Sequence, residues 1–125
     1  MGKVSKQTAT AHTDEGPGEE WRGDIEGYTV NFVRTHADAD LAPLLKGLPD
    51  DRCQCPHWGY VIAGRLTWHY GDHDETNEAG DAFYIPAGHT PVADAGTEFV
   101  LFSPAEQLAE TEAVMARNAQ AMQGE

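Results

Sequence analysis

The chain has only two cysteines, Cys53 and Cys55, separated by a single residue. A bridge across so small a loop is geometrically strained and contributes little stability, so a disulfide scaffold is excluded. Basic residues are also scarce, with 8 lysines and arginines against 21 aspartates and glutamates and a formal net charge of -13. That balance argues against nucleic acid and against an anionic membrane surface, because both need a basic face. It suits a chain handling a cation or a neutral small molecule, and it suits plain solubility equally. No window approaches the length of a membrane span. Lys3 and Lys6 are not followed by an apolar run, so no secretory leader is expected and the expected location is cytoplasmic. No internal repeat is visible, and 125 residues fit one domain.

What is present is patterned for strands. Residues 1–20 lack an apolar period and hold the breaker Gly16-Pro17-Gly18, so a flexible arm is expected there, with order starting near Trp21. Tyr28 to Val33 alternates as a strand, and residues 40–49 are apolar but broken by Pro43, Gly47 and Pro49. Strands are then expected over Trp58–Ala63, Leu66–Tyr70, Ala82–Ile85 and Thr97–Phe102, with a polar hairpin near residues 71–75. Turn signals every eight to twelve residues or so indicate a sandwich or barrel, which gives an all-β domain over residues 21–103. Residues 104–125 change period. Ser103-Pro104-Ala105-Glu106 is a helix start, and Leu108, Met115 and Met122 recur at heptad spacing, so one C-terminal helix is expected over about 104–120.

The chemistry concentrates in Cys53-Gln54-Cys55-Pro56-His57. Residues two apart on an extended strand share a face, so Cys53, Cys55 and His57 can converge on one volume. A second histidine, His89, follows the turn Pro86-Ala87-Gly88. Thiolate and imidazole together are a donor set that zinc prefers, with iron or copper behind it. Two readings stand side by side: a divalent-metal site drawn from Cys53, Cys55, His57 and His89, or a decayed site with two buried thiols. His69 and His73 lie in or beside the acidic hairpin region and read as surface histidines, as do His12 and His36.

Between residues 51 and 102 the sequence resembles the cupin superfamily. Gly80, five residues, Pro86, one residue and Gly88 match the second cupin motif, and the apolar strand Trp58–Ala63 running into Gly64 matches the end of the first. The resemblance implies a double-stranded β-helix, or jelly-roll barrel, with a small organic ligand at its mouth and a homodimer as the usual assembly. The family usually holds its metal with three histidines and a glutamate. Here the glutamate position falls on His57, the histidine pair on Asp51 and Cys53, and the second-motif histidine on Pro91, two residues after His89. The usual ligand set is therefore replaced. Because dioxygenases, isomerases and decarboxylases all share this fold, the resemblance implies no reaction. The alternative to a metal-binding cupin is a non-catalytic barrel that binds a small molecule without metal, or senses redox state through Cys53 and Cys55.

Overall fold

Strand alternation dictates the architecture. In the computed structural model, which describes residues 2–123, strand β10 (Glu98–Pro104) turns Phe99, Leu101 and Ser103 inward and leaves Phe102 exposed. Its neighbours follow the same period-two rule. The chain runs β1 (Ala11–Glu15), β2 (Gly18–Ile25), β3 (Tyr28–Thr35), β4 (Ala39–Asp40), β5 (His57–Ala63), β6 (Arg65–His69), β7 (Asp74–Glu78), β8 (Ala82–Ile85), β9 (Thr90–Ala93) and β10, then helix α1 (Ala105–Gln123). These strands form a six-stranded sheet, β1-β2-β3-β10-β5-β8, and a four-stranded sheet, β4-β9-β6-β7, with every pairing antiparallel. Val61, Phe83, Ile85 and Phe99 from the larger sheet meet Leu66, Trp68 and Ala93 from the smaller one in a shared core. The expected jelly-roll barrel with a C-terminal helix is the observed fold.

The N-terminal reading needs correction. Residues 11–15 and 18–20, which fall in the expected flexible arm, are strand, because β1 and β2 form a hairpin on the edge of the larger sheet. All five residues of β1 are exposed, so this strand carries no apolar period to betray it. Backbone pairing and surface contacts hold it instead. The His12 ring stacks on Trp21 at 4.9 Å. Lys6 is drawn in as well, with its ammonium 2.7 Å from Glu98 and 4.7 Å from the centre of the Trp21 ring. The Lys6 hydrogen bond holds the Glu98 carboxyl below its ordinary value. The native pKa is the depressed one, so this contact contributes stability above the ordinary glutamate range and loses it as pH falls. Met1 of the expected arm and residues 124–125 of the expected tail lie outside the described residues.

Residues 71–75 were expected as a polar hairpin tip, and the turn there leads into the exposed strand β7. The broken apolar stretch over residues 40–49 holds a 3₁₀ turn, Ala42–Leu45, that buries Leu45. Helix α1 lies against that turn. Asn118 donates its amide to the carbonyls of Leu44 and Lys46 at 2.6 and 2.8 Å, and Arg22 forks onto Glu112 at 2.7 and 2.9 Å. Leu108 and Met115 of the expected heptad stripe pack beneath the helix with Leu45, Cys53 and Cys55, whereas Met122 is exposed.

Gly64 is the tightest requirement among the turns. It sits at φ +81°, and a side chain there would come within 2.5 Å of Thr97 Oγ1 and 2.6 Å of Thr97 Cα. Thr97 is fully buried and accepts the Arg65 amide hydrogen, so it has no room to retreat. Gly64→Ala is expected to destabilise the fold by ~2 kcal/mol or more, from left-handed strain and overpacking together. Chemical denaturation of the two proteins measures that difference directly.

Candidate metal centre and barrel cavity

Two backbone elements bring the candidate ligands together. Cys53 precedes β5 and forms an isolated antiparallel bridge with His89. Its amide donates to the His89 carbonyl at 2.8 Å, and the Gly88 amide donates to the Cys53 carbonyl at 2.8 Å. The turn that carries His89 is thus stitched to the segment that carries Cys53, and bridged partners put their side chains on the same side. His57 opens β5 four residues later with its ring turned into the barrel. One ligand-type atom each from Cys53, His57 and His89 lies within 4.8 Å of the other two, and all three residues are buried.

The hydrogen bonds around these residues are those expected of metal ligands. His89 Nδ1 lies 2.8 Å from the Pro86 carbonyl oxygen, which only accepts, so Nδ1 carries the proton and Nε2 presents a bare lone pair. That Nε2 is buried without a hydrogen-bond partner. His57 Nδ1 lies 2.7 Å from Ser103 Oγ, and its Nε2 faces the Cys53 sulfur at 3.7 Å. A ring nitrogen anchored on one side and free on the other, as in His89, is the usual second-shell arrangement of a metal-binding histidine, and His57 is anchored likewise with its Nε2 toward the Cys53 thiol. Tetrahedral zinc with sulfur and nitrogen at ordinary bond lengths requires ligand atoms about 3.4–3.6 Å apart, so the 3.7 Å separation fits with little movement.

Burial keeps both imidazoles neutral. It pushes His57 down to about 3, with His89 close by adding to the effect, and it lowers His89 as well. The Cys53 thiol is raised by burial, and a Cys55 backbone contact and the Thr111 hydroxyl partly offset this. Cys55 departs from the strand-parity expectation. Residues 53–56 are not a continuous strand, and the Cys55 thiol turns toward the Pro56 carbonyl at 3.5 Å and packs with Leu45 and Leu108. It lies outside the convergent trio, and burial first, then the neighbouring Cys53 and Glu112, pushes its thiol up to about 12.

The trio lines a cavity of about 390 Å³ inside the barrel. The walls are largely apolar, with Val33, Leu66, Trp68, Phe99 and Leu101 from the sheets and Leu108 and Met115 from α1. Glu20, Asn31 and Glu112 are polar members of the same lining. Trp68 packs its ring against both histidines, with centroids 6.1 Å from His57 and 5.2 Å from His89. Its indole N–H donates to Asn77 at 2.8 Å, which fixes the ring from behind. His69 and His73 lie away from this site, paired with Asp74 and Asp72 at 2.7 Å each.

Sequence reasoning did not single out Glu20, Asn31 or Thr111, and it read Ser103 as a helix start, whereas Ser103 lies in β10 with its hydroxyl 2.7 Å from His57 Nδ1. The signal for Asn31 and Ser103 was available, since each is a polar residue at an inward position of an apolar strand. Glu20 had no such signal because β2 itself was not expected.

The cupin domain family model matches residues 53–101, which include all three convergent residues. Residues 53–101 therefore carry a cupin domain, which with the barrel fold supports a small cupin-superfamily protein. A search of curated proteins finds no match. Among solved structures, the cupin is similar to a protein of unknown function from Rhizobium leguminosarum bv. viciae, at 18% identity and a TM-score of 0.59, over 82% of this chain and 95% of that one. It is similar to an RmlC-like cupin from Shewanella frigidimarina at 17% identity and a TM-score of 0.55, over 82% and 89% of the two chains. It is also similar to the polyketide cyclase RemF from Streptomyces resistomycificus at 14% identity and a TM-score of 0.55, over 84% and 80%. Likeness at these identities establishes the jelly-roll fold. No helix among the described residues is long and apolar enough to cross a membrane.

Proposed function

We propose that this cupin binds a divalent metal, zinc foremost, through Cys53, His57 and His89, and presents it to a small organic molecule held in the barrel cavity. The observation that carries the reading is the buried lone pair of His89 Nε2, which has no partner in the protein and points into a group with two other ligand-type atoms. An unpaired buried acceptor costs about 1–3 kcal/mol, and a metal at this point would remove that cost. Three protein ligands leave a further coordination position, which a bound metal would use to polarise a ligand carbonyl or activate a water.

The reading is tested by purifying the protein without chelator and counting bound metals by mass spectrometry. Near one metal ion per chain is expected in the wild type and in Cys55→Ser, with loss in Cys53→Ser and His57→Ala. A wild type that stays metal-free after reconstitution under reducing conditions contradicts it. Copper(II) in place of zinc would show itself by strong visible colour once the sample is oxidised, since two histidines and a cysteine form the core of blue-copper sites.

The redox alternative has less support. Reactive thiols sit in exposed, electropositive surroundings that lower their pKa, whereas both thiols here are buried and raised. Both are free, which fits the cytoplasmic location this reading assumes.

The same proposal extends to a homodimer. Tyr28, Trp58, Tyr60, Ile62, Tyr84 and Phe102 are exposed on the outer face of the larger sheet. Three of the rings touch, with Trp58 centred 4.9 Å from Tyr84 and 6.0 Å from Tyr28. An uncharged patch of this kind marks an interaction face, and it lets two copies of a strongly acidic chain meet without opposing their charges. Trp58→Glu should weaken self-association at least ~100-fold, as expected for a buried aromatic anchor. Sedimentation velocity over a concentration series reads that shift, and a wild-type monomer at all concentrations contradicts the dimer.

A further inference from the structure

The polar end of the cavity restricts which molecules fit it. On the inner face of the larger sheet, Asn31 of β3 stands opposite Leu101 of β10, which stands opposite Gly59 of β5. His57 lies two residues along β5 from that row. Two interstrand steps and one residue pair along the strand place the Asn31 and His57 Cα atoms roughly 12 Å apart. The cavity therefore has a metal-ligating end and an Asn31 end, separated by apolar wall.

Glu20 and Arg22 come from β2 on the same inward parity, with Arg22 opposite Asn31. The Asn31 amide nitrogen donates to Glu20 Oε2 at 2.7 Å, which fixes the amide orientation and leaves Asn31 Oδ1 buried with no partner. Arg22 commits its fork to Glu112 and stays 3.8 Å from Glu20 Oε1. Burial raises the Glu20 carboxyl, with Arg22 and then Asn31 opposing it. Among the described residues lining the cavity, the buried side-chain atoms left without partners are Asn31 Oδ1 and His89 Nε2, and both are acceptors. Glu15, Glu19, Glu20 and Glu112 also line the cavity, so its polar surroundings are acidic.

We propose that Glu20 and Asn31 form the recognition end of the cavity, selecting an apolar molecule of one or two rings that carries an O–H or N–H donor and rejecting carboxylates. A donor placed there gives Asn31 Oδ1 the partner it lacks, and an anion placed there meets Glu20 in a poorly solvated space. This assignment rests on the reading of the cavity as a ligand site, and it makes no use of the metal's identity.

The test is calorimetric titration of the full chain with four matched probes: 2-naphthol, 2-naphthylmethylammonium, 2-naphthoate and naphthalene. Both donor probes should bind at least ~10-fold more tightly than naphthalene, and naphthoate should bind most weakly. Asn31→Leu should reduce the donor advantage to less than ~3-fold. Glu20→Gln, which keeps the side-chain shape if Asn31→Leu fails to fold, should weaken the cationic probe more than the neutral one. Bound metal per chain, measured on the same samples, should not change in either variant. Naphthoate binding as well as naphthol, a donor advantage that survives both variants, or no binding of any probe overturns the proposal. Donor-selective binding to a chain that holds no metal would sink the metal reading alone.

Discussion

Replacing Trp68 by alanine is expected to destabilise the protein by about 3–5 kcal/mol, among the largest single-residue effects in the barrel. Trp68 is 2% exposed and sits where the two sheets meet, packed against Phe83 and both candidate ligand histidines. The substitution opens a large void, leaves Asn77 without its indole donor, and removes the wall that holds the His57 and His89 rings. Two measurements separate these consequences. Denaturant unfolding should show the lost stability, and metal affinity of the protein still folded should fall about 10–100-fold, as for the loss of a supporting outer-shell group. Trp68→Phe should recover much of the stability, because it refills most of the void. Unchanged metal affinity in a folded Trp68→Ala would show that the histidines are held by their hydrogen bonds alone.

His89→Leu should separate metal binding from folding. In the metal-free protein the substitution removes an unpartnered buried nitrogen but also the hydrogen bond to Pro86, and the two changes oppose one another. Metal-free stability is expected to stay within about 1.5 kcal/mol of wild type. Metal should act differently on the two proteins. At a free metal concentration a hundred times the wild-type dissociation constant, binding stabilises the wild type by ~2.7 kcal/mol. With affinity lowered at least ~100-fold, the variant at the same concentration gains no more than about 0.4 kcal/mol. Unfolding curves with and without zinc measure both numbers. Equal stabilisation of the two proteins would remove His89 from the site.

The barrel was legible in the sequence where a strand is a short apolar run bounded by turn residues. Residues 58–63, 82–85 and 97–102 are such runs, rich in aromatic and β-branched side chains and lying beside Gly64, Gly80 and Gly96. The hairpin β1–β2 was not legible, since β1 is exposed along its whole length and its register is set by backbone pairing. Cys53, His57 and His89 were each visible as ligand-type residues, but for only partly sound reasons. Strand parity supplied Cys53 and His57 and also drew in Cys55. The backbone does not run straight from Cys53 through Pro56, and Cys53 instead pairs across to His89. A bridge between residues 36 positions apart leaves no mark in local periodicity. Thr111 and Glu112 became part of the site only because α1 packs beside the 3₁₀ turn, a tertiary choice that heptad spacing does not specify.

The measurement that tests the central claim most directly is the absorption spectrum of the cobalt(II)-substituted protein, since zinc itself is silent. One thiolate and two imidazoles in a four-coordinate site predict intense visible bands and a near-ultraviolet sulfur-to-cobalt charge-transfer band in the wild type. Both features should persist in Cys55→Ser, and the charge-transfer band should vanish in Cys53→Ser. A wild-type spectrum no different from aqueous cobalt, or a charge-transfer band lost in Cys55→Ser and kept in Cys53→Ser, would contradict the assignment of Cys53, His57 and His89 as the metal centre.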